Sequence, residues 1–496
     1  MRKIIDMQMK IGEVDISKIE FDLRSRDEIP KLLIGLQSIF CNPETREQVF
    51  KVLMELIPDN VDPNNGRKGM DLWRILVLGT LRLSCDWDYD KLMEIANNHK
   101  KLRLMLGHAP IIDDEYEYAL QTLKDNVSLF TLEVLGKINQ IVVKYGHEVI
   151  GKRPEEDLKG SCDSFVLETD VHFPTDINLL FDAIRKIIVL IMSLCDNLGL
   201  PGWRKGDYNI KKVKKYFRKA QQLKRSTSND FEKRSKREQL IISANLAYID
   251  LAKSLIDRVR ETITSISSPD IVVHLKIQEI QKYITHAERQ IDQIRRRVVE
   301  GETIPHHEKV FSIFQEHTEW INKGKAGVSQ ELGLKVCVVK DQFGFILHHR
   351  VMHNETDDKV AFPIIIETKE RFNELSSCSF DKGFHSPYNQ KELNEILDKV
   401  TLPRKGKLSA INKEIENSEE FKEARRKHSA VESSINALEN HGLDRCRDHG
   451  LHGFKRYVGL AVLARNIQIL GHILQQRQLK RLQKLEKKQQ NKLRAA

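Results

Sequence analysis

The sequence predicts a mixed α+β chain: an N-terminal all-helical domain, then a mixed-sheet core split by a large helical insertion. Three observations predict it. No alternating run precedes Cys162, whereas apolar residues recur at helical spacing from Lys31 onward. The strand-like run Ser161–Asp170 is followed by a long, highly charged stretch with helical spacing and no alternation. From Leu334 strand and helix signals alternate, as a sheet with flanking helices requires.

Met70–Leu83, Tyr89–Asn97, Lys101–Leu106, Tyr118–Lys124 and Ser128–Tyr145 carry apolar residues at helical spacing between short polar turns, so residues 1–157 read as a helical domain. Pro154, with neighbouring glycines and charges, marks a linker. In the first strand Phe165 and Leu167 share the side of Asp163, and Thr175 or Asp176 can cap the helix that follows. Residues 179–318 are longer than a loop prior allows and read as the helical insertion. Leu334–Lys340 and Gly344–Met352 form a hairpin around Asp341-Gln342-Phe343-Gly344. Phe362–Leu375 reads as a helix with Pro363 in its first turn. Ser376–Phe380 is a short strand ending at Asp381, Gln390–Asp398 is helical, and Val400–Leu402 reads as a further strand. Ser418–Asn440 and Gly453–Gln475 read as the last helices, before a basic tail over residues 476–496. Without the insertion, residues 158–178 and 319–475 make one split core.

Charged residues are 31% of the 496, and the formal net charge is +10. A basic chain rich in both signs fits a nucleic-acid partner better than a small metabolite. The seven cysteines are scattered without a CxxC pair, which argues against a disulfide framework or a structural zinc and fits a reducing cytoplasm. The amino terminus lacks the apolar core of a signal peptide, and no run approaches 18 apolar residues, so no membrane segment is expected.

The chemistry rests on three acids in separate settings. Asp163 lies in DSFVLETDVHFPTDINLL, Asp381 in FDKGFHSPYN, and Glu432 in HSAVESSINALENHGLDRC. Two carboxylates from strands and one from a helix can hold two divalent ions that clamp the attacking and leaving oxygens of a phosphodiester. Asp170 is the rival of Asp163, but its opposite parity turns it to the other side of a regular strand. Asp176 reads better as a cap, and His172 as a packed or surface histidine.

These three words, with the segment GMDLWRILVLGTLRLSCDWDYDKLMEIANNHKKLRLMLGH and the run HGLHGFKRYVGLAVLARN, resemble the DDE transposases of bacterial insertion sequences, of an ISNCY-type branch. The resemblance runs from about Arg67 to Gln475. It implies an RNase-H-like catalytic core in which Asp163, Asp381 and Glu432 are catalytic and hold two Mg²⁺ (or Mn²⁺) ions. It also implies a cytoplasmic homodimer whose N-terminal domain binds double-stranded DNA, at the terminal inverted repeats of its element and at target DNA. Phosphodiester hydrolysis would be followed by strand transfer. One related branch places Tyr, Arg and Lys around its glutamate; Arg425, His428 and Glu439 stand at those offsets here. Arg67, Lys68, Lys100, Lys101, Arg103, Lys323, Lys325 and His428 are the candidate DNA contacts, with a flexible strand entry as the other reading of Lys323 and Lys325. A decayed or repurposed DNA-binding protein of the same fold, or a related metal-dependent nuclease, is the alternative reading.

Overall fold

A computed structural model describes residues 2–5, 13–58, 69–108, 116–322 and 330–495. The chain divides into two compact units, Met1–Asp170 with Ile321–Ala496, and Val171–Trp320.

The first unit begins with helices α1 (Glu28–Cys41), α2 (Pro43–Met54), α3 (Leu72–Ser84), α4 (Tyr89–Asn98), α5 (Lys100–Met105), α6 (Leu120–Val127) and α7 (Leu132–Ile150). Their starts are chemically marked. Asp27, Asn42, Asp88 and Thr131 each accept a backbone N–H of the first turn, and Pro43 occupies the first turn of α2. Such a cap contributes about 1 kcal/mol. α3 is buried almost throughout, with Trp73 packed against Phe40 and Phe50. Strand β1 (Leu158–Thr169) follows.

The second unit holds α8 (Asp176–Leu198), α9 (Gly206–Gln222), α10 (Phe231–Thr264) and α11 (Ile271–Val298), and its end includes the start of β2 (Glu319–Asn322). It has its own core, built from Ile184, Ile188 and Ile191 of α8, Tyr248 and Ile256 of α10, and Ile280, Ile284 and Ile291 of α11. Thr175 caps α8 through the Asn178 N–H. Asp176 is the first residue of that helix and pairs with Arg297 at 2.8 Å, and His172 pairs with Asp182 at 2.5 Å.

The first unit resumes with β3 (Gln330–Lys340), β4 (Ile346–Met352), α12 (Asp357–Lys369), β5 (Leu375–Phe380), α13 (Pro387–Ile396), β6 (Lys399–Thr401), α14 (Ala410–Asn417), α15 (Glu419–His428), α16 (Ala430–Leu438), β7 (Arg445–Cys446) and α17 (Gly450–Ala495). Among the described residues the sheet has seven strands. β1 is central, antiparallel to β3 and parallel to β5; β4 pairs antiparallel with β3, and β6 pairs parallel with β5. The short β7 pairs parallel with the end of β1. Asn466, fully buried in α17, donates to Asn139 of α7 and to the Ile346 carbonyl and accepts the Ile346 N–H, so one polar clamp joins two helices to β4. His147 of α7 meets Asp341 of the hairpin turn at 2.6 Å in a buried contact.

The N-terminal helices and the sheet share one hydrophobic core, so no boundary between compact units falls at residues 157–158. α1 crosses α17 so closely that a Cβ on Gly471 would lie 1.8 Å from the Lys31 carbonyl oxygen, and one on Gly35 2.3 Å from that of Ile467. α17 is long and apolar enough over Gly450–Asn491 to cross a membrane by length and composition, but 72% of that apolar window is buried inside the fold.

Several local expectations are corrected. α12 starts five residues before Phe362, so Pro363 lies inside the helix, where the Lys359 carbonyl loses its intrahelical donor. The acidic first turn, Asp357 and Asp358, favours the earlier start. The expected single helix Ser418–Asn440 is two, α15 and α16. At their junction the Ser429 hydroxyl donates back to the Arg426 carbonyl at 2.6 Å. The basic tail continues α17 to Ala495, because its Gln, Lys, Leu, Arg and Glu residues favour helix and no Gly or Pro stops them.

Candidate active site

β1 carries the first acid through the middle of the sheet. Its parallel register with β5 sets Ser161 beside Ser379 and Cys162 beside Phe380. Asp163 and Asp381 are the residues that directly follow this last registered pair. Asp381 keeps an extended backbone (φ −74°, ψ 160°) as it caps the short 3₁₀ turn Lys382–Phe384. Cys162 and Phe380 are buried, and strand alternation turns Asp163 and Asp381 to the opposite face. Asp163 is half-buried and Asp381 exposed.

Glu432 reaches the same region from α16. Val431, Ile435 and Leu438 anchor that helix in the core and leave Glu432 exposed. Lys340, at the end of β3, fixes the first turn by donating to the Ala430 carbonyl and the Ser434 hydroxyl, both at 2.8 Å. Lys340 is the cross-strand partner of Ser161, two residues before Asp163.

The charges of Asp381 and Glu432 both reach the Asp163 carboxyl. Burial pushes the Asp163 carboxyl up to about 6, the Ser164 N–H at 2.7 Å opposes this, and the charges of Asp381, Asp357 and Glu432 push it further up. Asp357 is a fourth acid that the sequence pattern did not single out. Its two oxygens are held at 2.7 Å by the Ser164 hydroxyl and by the Lys335 ammonium, and a Cβ on Gly383 would lie 3.3 Å from it. The signal that could have found it is Thr356-Asp357-Asp358, a helix start with an acidic first turn. Lys335 is thus tied to an acid of the site.

His428, the last residue of α15, hydrogen-bonds through Nδ1 with the Ser379 hydroxyl at 3.0 Å, and its buried Nε2 has no partner. Burial pushes its ring below the ordinary histidine value, while Asp381 and Glu432 pull it back up. It therefore stands among the acids as a neutral ring near pH 7. A cleft of ≈ 850 Å³ opens beside it, lined by Ser161, Ser379, Lys340, Lys399 and Lys427 with Glu420 and Glu423.

Asp170 is not part of this cluster: it is exposed and meets Arg445 at 3.6 Å. Of the candidate DNA contacts, Arg67, Lys68, Lys323 and Lys325 lie outside the described residues. Lys100 is exposed and Lys101 half-buried. Arg103 is buried, with its guanidinium donating to the carbonyls of Ala96, Asn97 and Tyr116, so it braces the helices and is not open to a phosphate.

The donor set fits a hard divalent cation. Among the described residues no Lys, Arg or His stands within ion-pair distance of Asp163, Asp381 or Glu432, so these oxygen donors carry no neutralising cation. Among the described residues no three His, Cys, Asp or Glu side chains are already drawn together tightly enough to enclose an ion.

The fold is a mixed sheet flanked by helices, with Asp163, Asp357, Asp381 and Glu432 acting electrostatically on one region of it. Residues 292–467, about a third of the chain, match the family model described as the transposase DDE domain. The matched stretch contains Asp381 and Glu432 and begins after Asp163. No curated protein and no solved structure matches the chain.

Proposed function

We propose that Asp163, Asp381 and Glu432 are the catalytic acids of a transposase, on an RNase-H-like core, and that the protein cuts double-stranded DNA at the inverted-repeat ends of an insertion sequence and joins the 3′-hydroxyls to target DNA. The observation that carries the reading is the parallel register that pairs Cys162 of β1 with Phe380 of β5, each directly followed by one of the acids, with the charges of Asp381 and Glu432 both acting on the Asp163 carboxyl. The strand order, with β1 central, two antiparallel neighbours in succession on one side and two parallel on the other, supports the RNase-H-like assignment.

Asp163, Asp381 and Glu432 would hold two Mg²⁺ or Mn²⁺ ions. When bound, such ions lower the pKa of an attacking water or 3′-hydroxyl and stabilise the leaving oxygen. The chain's own residues set the stage for this. Lys340 fixes the height of α16, and hence of Glu432, against β3. Asp357 holds the Lys335 ammonium beside the acids and keeps Ser164 oriented. Neutral His428 offers Nε2 as a hydrogen-bonding group without adding positive charge near the acids. A homodimer that pairs two DNA ends, acting in the cytoplasm, completes the reading.

The test is cleavage and gel-shift on the same variants. Asp163→Ala, Asp381→Ala and Glu432→Ala should each lose metal-dependent cleavage of terminal-repeat DNA by at least ~10³-fold, as expected when electrostatic stabilisation at the reacting centre is removed, while binding stays within a few-fold. Near wild-type cleavage by Glu432→Ala would remove that residue from the site.

A further inference from the structure

Charge is distributed very unevenly along this chain. Residues 204–237 contain fourteen Lys and Arg against three acids, a net +11, whereas the whole chain carries +10. The other residues together are therefore close to neutral. The segment covers α9, the connection after it and the first turns of α10.

Ion pairing distinguishes this segment from the other basic run in its unit. On α11, Arg295 meets Glu300, Arg296 meets Asp292, Glu302 and Glu308, and Arg297 meets Asp176. That run is neutralised within the unit. In residues 204–237, among the described residues, only Lys233 has an ion-pair partner, Asp230 at 3.7 Å. α9 turns Val213 and Ala220 into the core, with Ile210 and Phe217 against it, and leaves Lys211, Lys212, Lys214, Lys215, Arg218 and Lys219 on the opposite half. Unpaired like charges at i, i+3 and i+4 repel and cost helix stability, so nothing within the fold accounts for their number. Ile210, Val213, Phe217 and Ala220 of α9 are turned into or against the core, so only two isolated aromatics, Tyr208 and Phe231, stand exposed along the segment, too little apolar area for a helix to enter a lipid surface.

We infer that the exposed face of α9, with the first turns of α10, is a binding surface for the phosphate backbone of duplex DNA. Lysines spaced along 17 helical residues can follow successive phosphates and release their counterions, which gives affinity without sequence preference. The choice of DNA as the polyanion rests on the proposed function; the location of the surface rests on the charge and its lack of partners.

The experiment measures binding to duplex DNA of arbitrary sequence over a salt series, in EDTA, so that neither metal nor chemistry enters. A quadruple variant, Lys211→Gln, Lys212→Gln, Lys214→Gln and Lys215→Gln, is compared with a charge-matched control on the exposed end of α17, Lys480→Gln, Lys484→Gln, Lys487→Gln and Lys488→Gln. Circular dichroism checks that both keep wild-type helicity. Each lost phosphate contact lowers the slope of log K against log salt by about 0.9. The slope of the α9 variant should fall by ~2–4 and its affinity at low salt by at least ~10-fold, and the control should lose less than half of that. An unchanged slope in the α9 variant, or an equal loss in both, overturns the inference while the acid site stands. A wild-type protein that fails to bind duplex DNA overturns both. Loss of binding to anionic vesicles but not to DNA also overturns it, in favour of a membrane partner.

Discussion

Replacing Asp163 by asparagine should stabilise the metal-free protein and abolish its stabilisation by divalent cations. Burial and the neighbouring acids raise the Asp163 carboxyl from its ordinary 3.8 to about 6. A tenfold change in proton affinity corresponds to about 1.4 kcal/mol, so the ionised carboxylate costs the fold at most ~3 kcal/mol, and ~1–3 kcal/mol once its partial contact with solvent is discounted. The sign follows from the direction in which the carboxyl is moved. Between about pH 4 and 6 the native state holds the proton more tightly than the unfolded chain, so this group's contribution to stability falls as pH rises and levels off above 6. Asparagine keeps an oxygen to accept the Ser164 N–H and carries no charge. The variant should therefore match wild type near pH 4 and unfold several degrees higher at pH 8 in EDTA. Adding Mg²⁺ or Mn²⁺ should reverse the order, because an ion that binds only the native acids contributes about 2.7 kcal/mol at a hundredfold excess over its Kd. Thermal unfolding at several pH values, with and without metal, reads both effects. A variant that melts below wild type at pH 8 in EDTA, or that gains as much as wild type from metal, would refute the reasoning.

Two further perturbations test the fold that holds the site. Arg82 is buried, pairs with Asp448 at 2.9 Å and lies 3.8 Å over the Tyr89 ring, so Arg82→Leu removes the nearer cation from a buried carboxylate that Arg456 also meets at 3.3 Å; a loss of ~3 kcal/mol is expected in chemical denaturation, with part recovered when Asp448→Leu is added. Gly471→Ala drives a methyl into the Lys31 carbonyl at the α1–α17 crossing and should cost ~3 kcal/mol or more, whereas Gly151→Ala, where a Cβ meets nothing within 4 Å but φ is +81°, should cost only ~1 kcal/mol; equal melting temperatures for the two would refute the close crossing.

Asp163 and Asp381 could be found in the sequence because each ends or interrupts a short alternating run, and alternation reports directly on which face of a sheet a residue occupies. The β1–β5 register that sets the residues just before them side by side could not be read, since it pairs segments more than two hundred residues apart. Asp357 was missed for a different reason. Pro363 suggested a helix beginning near it, and the true start lies where Thr356 and two acids mark the first turn. Arg103 was misread because a lysine- and arginine-rich helix looks like a solvated one; its guanidinium turns inward to donate to three backbone carbonyls. The break at Ser429 has no Gly or Pro to announce it.

The placement of β1 has a consequence for how the protein is made. The central strand leaves the ribosome first among the strands, and its neighbours, at Gln330–Lys340 and Leu375–Phe380, are encoded much later. At roughly 5–20 residues per second, the strand waits for its partners on the order of ten seconds or longer. During that time Val171–Trp320 can complete a core of its own. Glu432, by contrast, is synthesised later than either strand that carries its proposed partners. On the proposed function, a nascent chain stopped short of that point would carry the basic surface of α9 but not the full set of acids, so attachment to DNA would become available earlier in the life of the polypeptide than the ability to cut it.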